Sequence, residues 1–261
     1  MNPLAQEIAA AEVPQGAVRL WWLAQAGFAF KSASGTTVYV DPYLSDACER
    51  LHGFKRLSLS PLGADDVRTD LLVLTHEHTD HLDPDALPII ARNNPKCLFA
   101  GPEGCREGLV EAGVPKGSFT LLEPNAKHQL ADLTIHAAPA DHGDFSPDAL
   151  ALVLDFGGVK VMLSGDSSLR PGLFQPLIDL RPDVLLPCIN GGFGNMSTID
   201  AARLVEAVRP RYTIPCHYWT FAEQGVSDPW GFVHACKALC PEVDALLLKP
   251  GEPLTVPPLH P

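Results

Sequence analysis

The stretch Thr75-His76-Glu77-His78-Thr79-Asp80-His81 follows directly on the apolar run Leu71-Leu72-Val73-Leu74. It brings four imidazole or carboxylate groups, His76, His78, Asp80 and His81, into six residues. Zinc, manganese and iron accept such ligands, and a catalytic centre needs several of them converging on one point. A strand ending in a loop delivers them. On extended backbone His76 and His78 face the same way, while Asp80 and His81 come round the turn towards a second point. Asp83-Pro84 reads as a helix N-cap followed by proline in the first turn, so a helix is expected to anchor the loop. A single histidine would be an ordinary surface or core residue; four donors in this pattern point to metal.

The spacing H-x-H-x-D-H resembles the motif of the metallo-β-lactamase superfamily. A site for two cations needs about three further N or O donors, one of them an anion able to bridge. Three candidates occur: His142 in Ala140-Asp141-His142-Gly143-Asp144, Asp166 in Ser164-Gly165-Asp166-Ser167, and His217 in Ile214-Pro215-Cys216-His217-Tyr218. Each stands where an apolar run gives way to a loop, the place where a sheet presents functional groups. The resemblance implies that His76, His78 and His142 hold one divalent cation and that Asp80, His81 and His217 hold a second, with Asp166 bridging. It implies two metal ions, zinc or manganese, and the all-N/O donor set also admits iron. Asp80 is expected to be catalytic as well as a ligand, holding the nucleophile or receiving its proton. The remaining histidines, His52, His128, His136, His234 and His260, fit no such pattern and read as surface or satisfied side chains.

Within the superfamily the chain is most similar to the ascorbate-6-phosphate lactonase group. The resemblance is carried by Leu20-Trp21-Trp22-Leu23 with Gly27, Tyr39-Val40-Asp41-Pro42, Gly101-Pro102, Gly113-Val114-Pro115-Lys116, Ser164-Gly165-Asp166-Ser167 and Ile214-Pro215-Cys216-His217. It implies hydrolysis of a small ester-like bond, a lactone of a sugar-derived anionic compound. The lactonases are longer, so the resemblance carries fold and metal chemistry further than substrate. A phosphodiesterase, phospholipase or thioesterase could use the same di-metal site. A non-hydrolytic di-iron redox module stands behind these, because its oxygen-reducing members carry Glu where His78 stands and Glu77 is out of register.

Composition narrows the class. The 261 residues carry 19 Lys+Arg against 31 Asp+Glu, a formal charge of −12, with no basic run. That argues against the RNA-processing members of the superfamily, since nucleic acid binding needs cations against phosphates. A small-molecule substrate is expected, and a homo-oligomer is compatible with the composition. No stretch reads as a signal peptide or reaches the length of a membrane span, so a soluble, cytoplasmic protein is expected. Seven cysteines, with no C-x-x-C pair, read as buried thiols; Cys216 beside His217 is the one that a metal could reach.

Strand-like runs cover residues 18–23, 28–31, 37–40, 70–74, 97–100, 133–136, 149–155, 159–163, 184–187, 212–215 and 245–248, with a turn at Ser34-Gly35. Helical periodicity covers 84–91, 103–112, 171–180, 198–208 and 229–239. The pattern predicts an α/β (α+β) fold: a four-layer αββα sandwich of two mixed sheets with helices outside. One domain over 1–261, with its core at about 17–250, is expected. Candidate substrate contacts are Asn190 and Asn195 in the glycine-rich loop Asn190-Gly191-Gly192-Phe193-Gly194-Asn195, Tyr218 after the last ligand, and Arg170. Asp41, ending a strand beside the metal loop, is expected to orient that loop.

Overall fold

The computed structural model describes residues 2–224 and 227–258; His260 lies outside them. Helix α1 (Pro3–Ala10) leads into strands β1 (Val18–Trp22), β2 (Phe28–Ser32) and β3 (Thr37–Val40), followed by α2 (Ala47–His52) and β4 (Leu71–Val73). Then come α3 (Leu87–Asn93), β5 (Leu98–Gly101), α4 (Cys105–Glu111) and β6 (Phe119–Leu121). The chain crosses to β7 (Lys127–Leu130), β8 (Leu133–Pro139), β9 (Leu150–Asp155), β10 (Lys160–Leu163), α5 (Pro171–Ile178) and β11 (Val184–Leu186). It continues through α6 (Thr198–Val208), β12 (Tyr212–Thr213), α7 (Pro229–Leu239) and β13 (Asp244–Ala245), and β14 (Pro253–Val256) returns to pair with β1. The first sheet has the order β14-β1-β2-β3-β4-β5-β6 and the second β13-β12-β11-β10-β9-β8-β7, each mixing parallel and antiparallel pairs.

The sandwich follows from alternation along the first sheet. Val18, Leu20, Trp22, Phe28, Phe30, Val38, Val40, Leu71 and Val73 point into the core shared with the second sheet. Their neighbours Trp21, Leu23, Ala29, Tyr39, Leu72 and Leu74 pack outward against Ile8 of α1, Leu87 and Ile90 of α3 and Leu109 of α4. A period of two puts alternate side chains on opposite faces, and here both faces are covered, so the strands are buried end to end. On the far side Phe174 and Leu177 of α5, Leu204 of α6 and Phe232 of α7 complete the same core.

Several element bounds match the sequence reading, among them β3, α6 and α7. Others differ for local reasons. Helix α3 begins at Leu87 rather than at Pro84, because Asp83 caps the intervening turn and shares its carboxylate with the Leu44–Ser45 backbone. Strands β6, β7 and β14 and helices α1 and α2 were not expected.

All seven cysteines are buried and none forms a disulfide. Burial pushes the thiols of Cys48, Cys97 and Cys236 up to about 12. An acid whose pKa is raised by folding keeps its proton in the native state while the unfolded chain has lost it. Its stabilisation is therefore present below the ordinary thiol range and drains away as pH rises towards the folded value. Urea midpoints are expected to fall steadily from about pH 8 to about pH 10.5; flat midpoints over that range would contradict the burial.

Candidate metal centre

The loop that leaves β4 is fixed from below by Asp41, which ends β3. The buried Asp41 carboxylate accepts hydrogen bonds from Thr75 N (2.8 Å), Thr75 Oγ1 (2.6 Å) and His81 Nδ1 (2.8 Å). With Nδ1 of His81 committed in this way, Nε2 is left to face the site, the arrangement that orients a metal-binding imidazole. His78 is held by a different device: its Nε2 donates to Phe145 O (3.0 Å), leaving Nδ1 turned towards His142 Nε2 at 3.2 Å. His76 is fully buried, and its Nε2 has no hydrogen-bond partner in the protein. An orphaned buried nitrogen is costly unless something else occupies its lone pair, and a cation fits that role.

The second sheet supplies the rest from strand ends. His142 follows β8, Asp166 follows β10 and His217 follows β12. Asp166 Oδ1 lies 3.4 Å from His81 Nε2, while its Oδ2 lies 3.2 Å from His217 Nε2 and 3.9 Å from His142 Nε2. Asp80 Oδ2 is 3.2 Å from His217 Nε2 and 3.8 Å from His81 Nε2. Three sets emerge whose ligand atoms all lie within 4.8 Å of one another: His76/His78/His142, His76/His81/Asp166 and Asp80/His81/His217. All seven residues singled out in the sequence thus meet at one place, and the donor set suits a divalent cation.

The electrostatics match. Burial lowers His76, and the neighbouring His81 adds to the effect. Burial works against the charge on His81, yet Asp166, Asp80 and Asp41 together hold its pKa well above the usual imidazole range. His217 is likewise raised, to about 10, by Asp166 and Asp80 against the pull of burial. Asp80 and Asp166 are held well below the carboxylate range by His81 and His217, again despite burial.

Several supporting groups were not read from the sequence. Gln25, in the β1–β2 turn, is buried and donates from Nε2 to Asp80 Oδ2 at 2.7 Å. Gln224 accepts at Oε1 from the backbone N–H groups of Thr220 and Phe221 and lies with Nε2 2.9 Å from His217 Nδ1. Cys188 Sγ donates to Asp166 Oδ1 (3.3 Å), and Cys216 lies behind it, 3.8 Å from Cys188. Gln25, Asp41 and His217 all have left-handed backbone, at φ 48°, 44° and 62°. Such strain is uncommon outside glycine and collects at functional sites. Gly165 shows why Asp166 follows a glycine: its φ is 59°, and a Cβ there would stand 2.4 Å from Leu150 O.

The four proposed substrate contacts fare differently. Asn190 lines the cavity over the candidate ligands, and its Oδ1 is buried without a partner among the described residues. Asn195 does not line the cavity and donates to Asp166 Oδ2 at 2.6 Å, so it steadies the carboxylate. Tyr218 stacks on Trp22 with ring centroids 5.0 Å apart, and Arg170 pairs with Asp141 at 2.7 Å. Neither lines the cavity. These partners could not be read from the sequence because each lies far away along the chain. His52, read as an ordinary surface residue, is exposed but stands at the cavity with Nε2 3.0 Å from Thr79 Oγ1.

Residues 19–217 match the family described as beta-lactamase superfamily domain. The chain belongs to the metallo-β-lactamase superfamily. It is 31% identical over 247 residues to a UPF0173 metal-dependent hydrolase of Aeropyrum pernix, covering 90% of this chain and 96% of that protein, and it belongs to that hydrolase family. Igni18, a metallo hydrolase of Ignicoccus hospitalis, superposes with a TM-score of 0.71 at 24% identity, covering 92% of this chain and 98% of the other. An isothiocyanate hydrolase from Delia radicum gut bacteria gives a TM-score of 0.73 at 19% identity, over 90% of this chain and 98% of that one. These two likenesses establish the shared fold. Neither comparison with the family reaches the lactonase subgroup.

Asp41→Asn keeps the shape of the side chain but replaces one acceptor oxygen by a donor, so it cannot accept the bonds from Thr75 N, Thr75 Oγ1 and His81 Nδ1 together. Outer partners of metal ligands typically control about 10–100-fold in affinity. Competition with a chelator is expected to show zinc affinity lower by that factor in the variant; unchanged affinity would contradict the orienting role of Asp41.

Proposed function

We propose that His76, His78, Asp80, His81, His142, Asp166 and His217 hold two divalent cations, zinc or manganese, and that the protein hydrolyses a small ester-like bond, a lactone above all. The observation carrying this reading is the trio of overlapping ligand sets, with Asp166 within 4 Å of His81, His142 and His217. Cations bound there would bring the pKa of water to about 7 and draw off charge from an attacked carbonyl. The chain's own residues do the rest. Asp80, in the cavity lining and held by Gln25, receives the proton of the attacking water. Asp166 stays ionised between the two ligand sets, steadied by Asn195 and Cys188. Asn190 offers its side-chain amide to the substrate from the wall. The reading has one domain acting in the cytoplasm on a small molecule.

Esters stand ahead of phosphodiesters on the lining outside the ligand cluster: the cations would meet a reacting phosphate themselves, but among the described residues lining the cavity there is neither lysine nor arginine to hold further negative charge.

Two measurements test this together. Elemental analysis of protein purified without chelator is expected to find two metal ions per chain, and Asp166→Ala to lose both, since a bridging anion offsets both charges. Asp80→Asn is expected to fold normally while kcat for a lactone falls by about 10²–10⁴. At most a trace of metal after metal add-back would overturn the metal half. Turnover of phosphodiesters with lactones untouched would overturn the substrate half.

A further inference from the structure

Four phenylalanines close the cavity above the ligand cluster, each delivered by a different segment. Phe54 follows α2, Phe145 lies in the 3₁₀ turn after His142, Phe193 stands in the glycine-rich loop, and Phe221 follows His217. Phe54 is the middle of the group, its ring centroid 6.0 Å from Phe193 and 6.1 Å from Phe221. Phe145 lies on the other side, 5.8 Å from the His142 ring, and its carbonyl is the one that clamps His78. The apolar wall is therefore tied by hydrogen bonds and ring contacts to the metal-binding residues.

Two of these rings are left largely in the open. Phe221 and Phe54 pack with Tyr43, Ala47 and Cys48 in a small hydrophobic cluster. Phe145 and Phe193 belong to none of the hydrophobic clusters and are 61% and 51% exposed. Phe193 is moreover held at φ 54° between two glycines, a conformation a bulky residue adopts only under constraint. Large apolar side chains left in the open beside a catalytic cleft mark the surface that a ligand covers.

The polar part of the lining points the same way. Glu77 and Glu223 stand in it and, among the described residues, no lysine or arginine does, in a chain of net charge −12. Arg56, on the neighbouring segment, is turned aside: it donates to Tyr43 O and stacks over the Tyr43 ring. The space is about 300 Å³, at the small end of small-molecule sites.

We infer that the part of the substrate not being cleaved is an uncharged alkyl or aryl group seated against Phe54, Phe145, Phe193 and Phe221. This replaces the anionic, sugar-derived compound expected from the resemblance, and it rests on the ester-hydrolase reading above. The two glutamates repel a phosphate or carboxylate at that end of the substrate, and the rings pack a flat or branched apolar group.

The test uses γ-lactones that share one ring: unsubstituted, 4-phenyl, 4-pentyl, and one bearing a carboxylate. With metal-loaded protein, kcat/KM for the phenyl and pentyl compounds is expected to exceed that of the unsubstituted ring by at least about tenfold, with the carboxylate compound lowest. Phe193→Ala is expected to remove most of that preference through KM. Binding is read separately with the neutral dye N-phenyl-1-naphthylamine in chelator-treated protein: fluorescence should rise on binding, fall on adding the phenyl lactone, and weaken in Phe193→Ala. A preference for the carboxylate lactone, or no dye binding, overturns the inference. Dye binding lost in Phe193→Ala, with no ester or lactone turned over by the metal-loaded protein, upholds the apolar subsite and overturns the ester-hydrolase reading instead.

Discussion

The carboxylate of Asp166 lies between the imidazoles of His81 and His217, at 3.4 and 3.2 Å, almost wholly out of water. An ionised carboxylate in such a place costs several kcal/mol unless it is paired and hydrogen-bonded. The rest of the site can be understood as the means of meeting that cost. Cys188 and Asn195 each give it a hydrogen bond, and Gly165 lets the backbone pass under Leu150 O. Asp41 and Gln224 lie against the distal Nδ1 of His81 and His217, leaving the Nε2 atoms turned towards the carboxylates.

That arrangement explains why loops of both sheets are stitched together at one end of the sandwich. Leu150 N donates to Thr75 O, His217 N to Gln25 O and Ser168 N to Asp141 O. Each of these bonds ties one ligand-bearing segment to a neighbour, so the site is set by rigid strand ends and by bonds between the loops. Preorganisation of this kind keeps ligands near the geometry a cation requires, and the strained backbone at Gln25, Asp41 and His217 is its local expense.

The cluster of seven candidate ligands was legible in the sequence because metal chemistry restricts residue type and because strand ends are visible as apolar runs. The sandwich was legible in the order of the runs, short strand-like stretches joined by tight turns with helices entering later, whereas the two faces of Leu20-Trp21-Trp22-Leu23, both apolar, separate only in the fold. Strand β7 was not, since Lys127-His128-Gln129-Leu130 lies at a sheet edge and carries no apolar period. Helix α1 went unread as well: the Asn2 side chain caps Leu4 N and proline opens the helix, but eight residues offer little periodicity. Gln25 and Cys188 were invisible because their roles arise from contacts across long sequence separations, and Gln224, seven residues from His217, because the turn that brings it back onto the imidazole has no sequence signature. The tertiary fold also reversed the reading of Asn195, Tyr218 and Arg170, whose side chains are committed to Asp166, Trp22 and Asp141.

The central claim is that one buried carboxylate is shared by two cation sites. Anomalous diffraction at the zinc absorption edge, from crystals grown with zinc, tests it most directly. The account predicts two peaks a few ångströms apart with Asp166 between them, one beside His76, His78 and His142, the other beside Asp80, His81 and His217. A single peak that Asp166 does not touch, or a peak coordinated by Cys188 and Cys216, would contradict it.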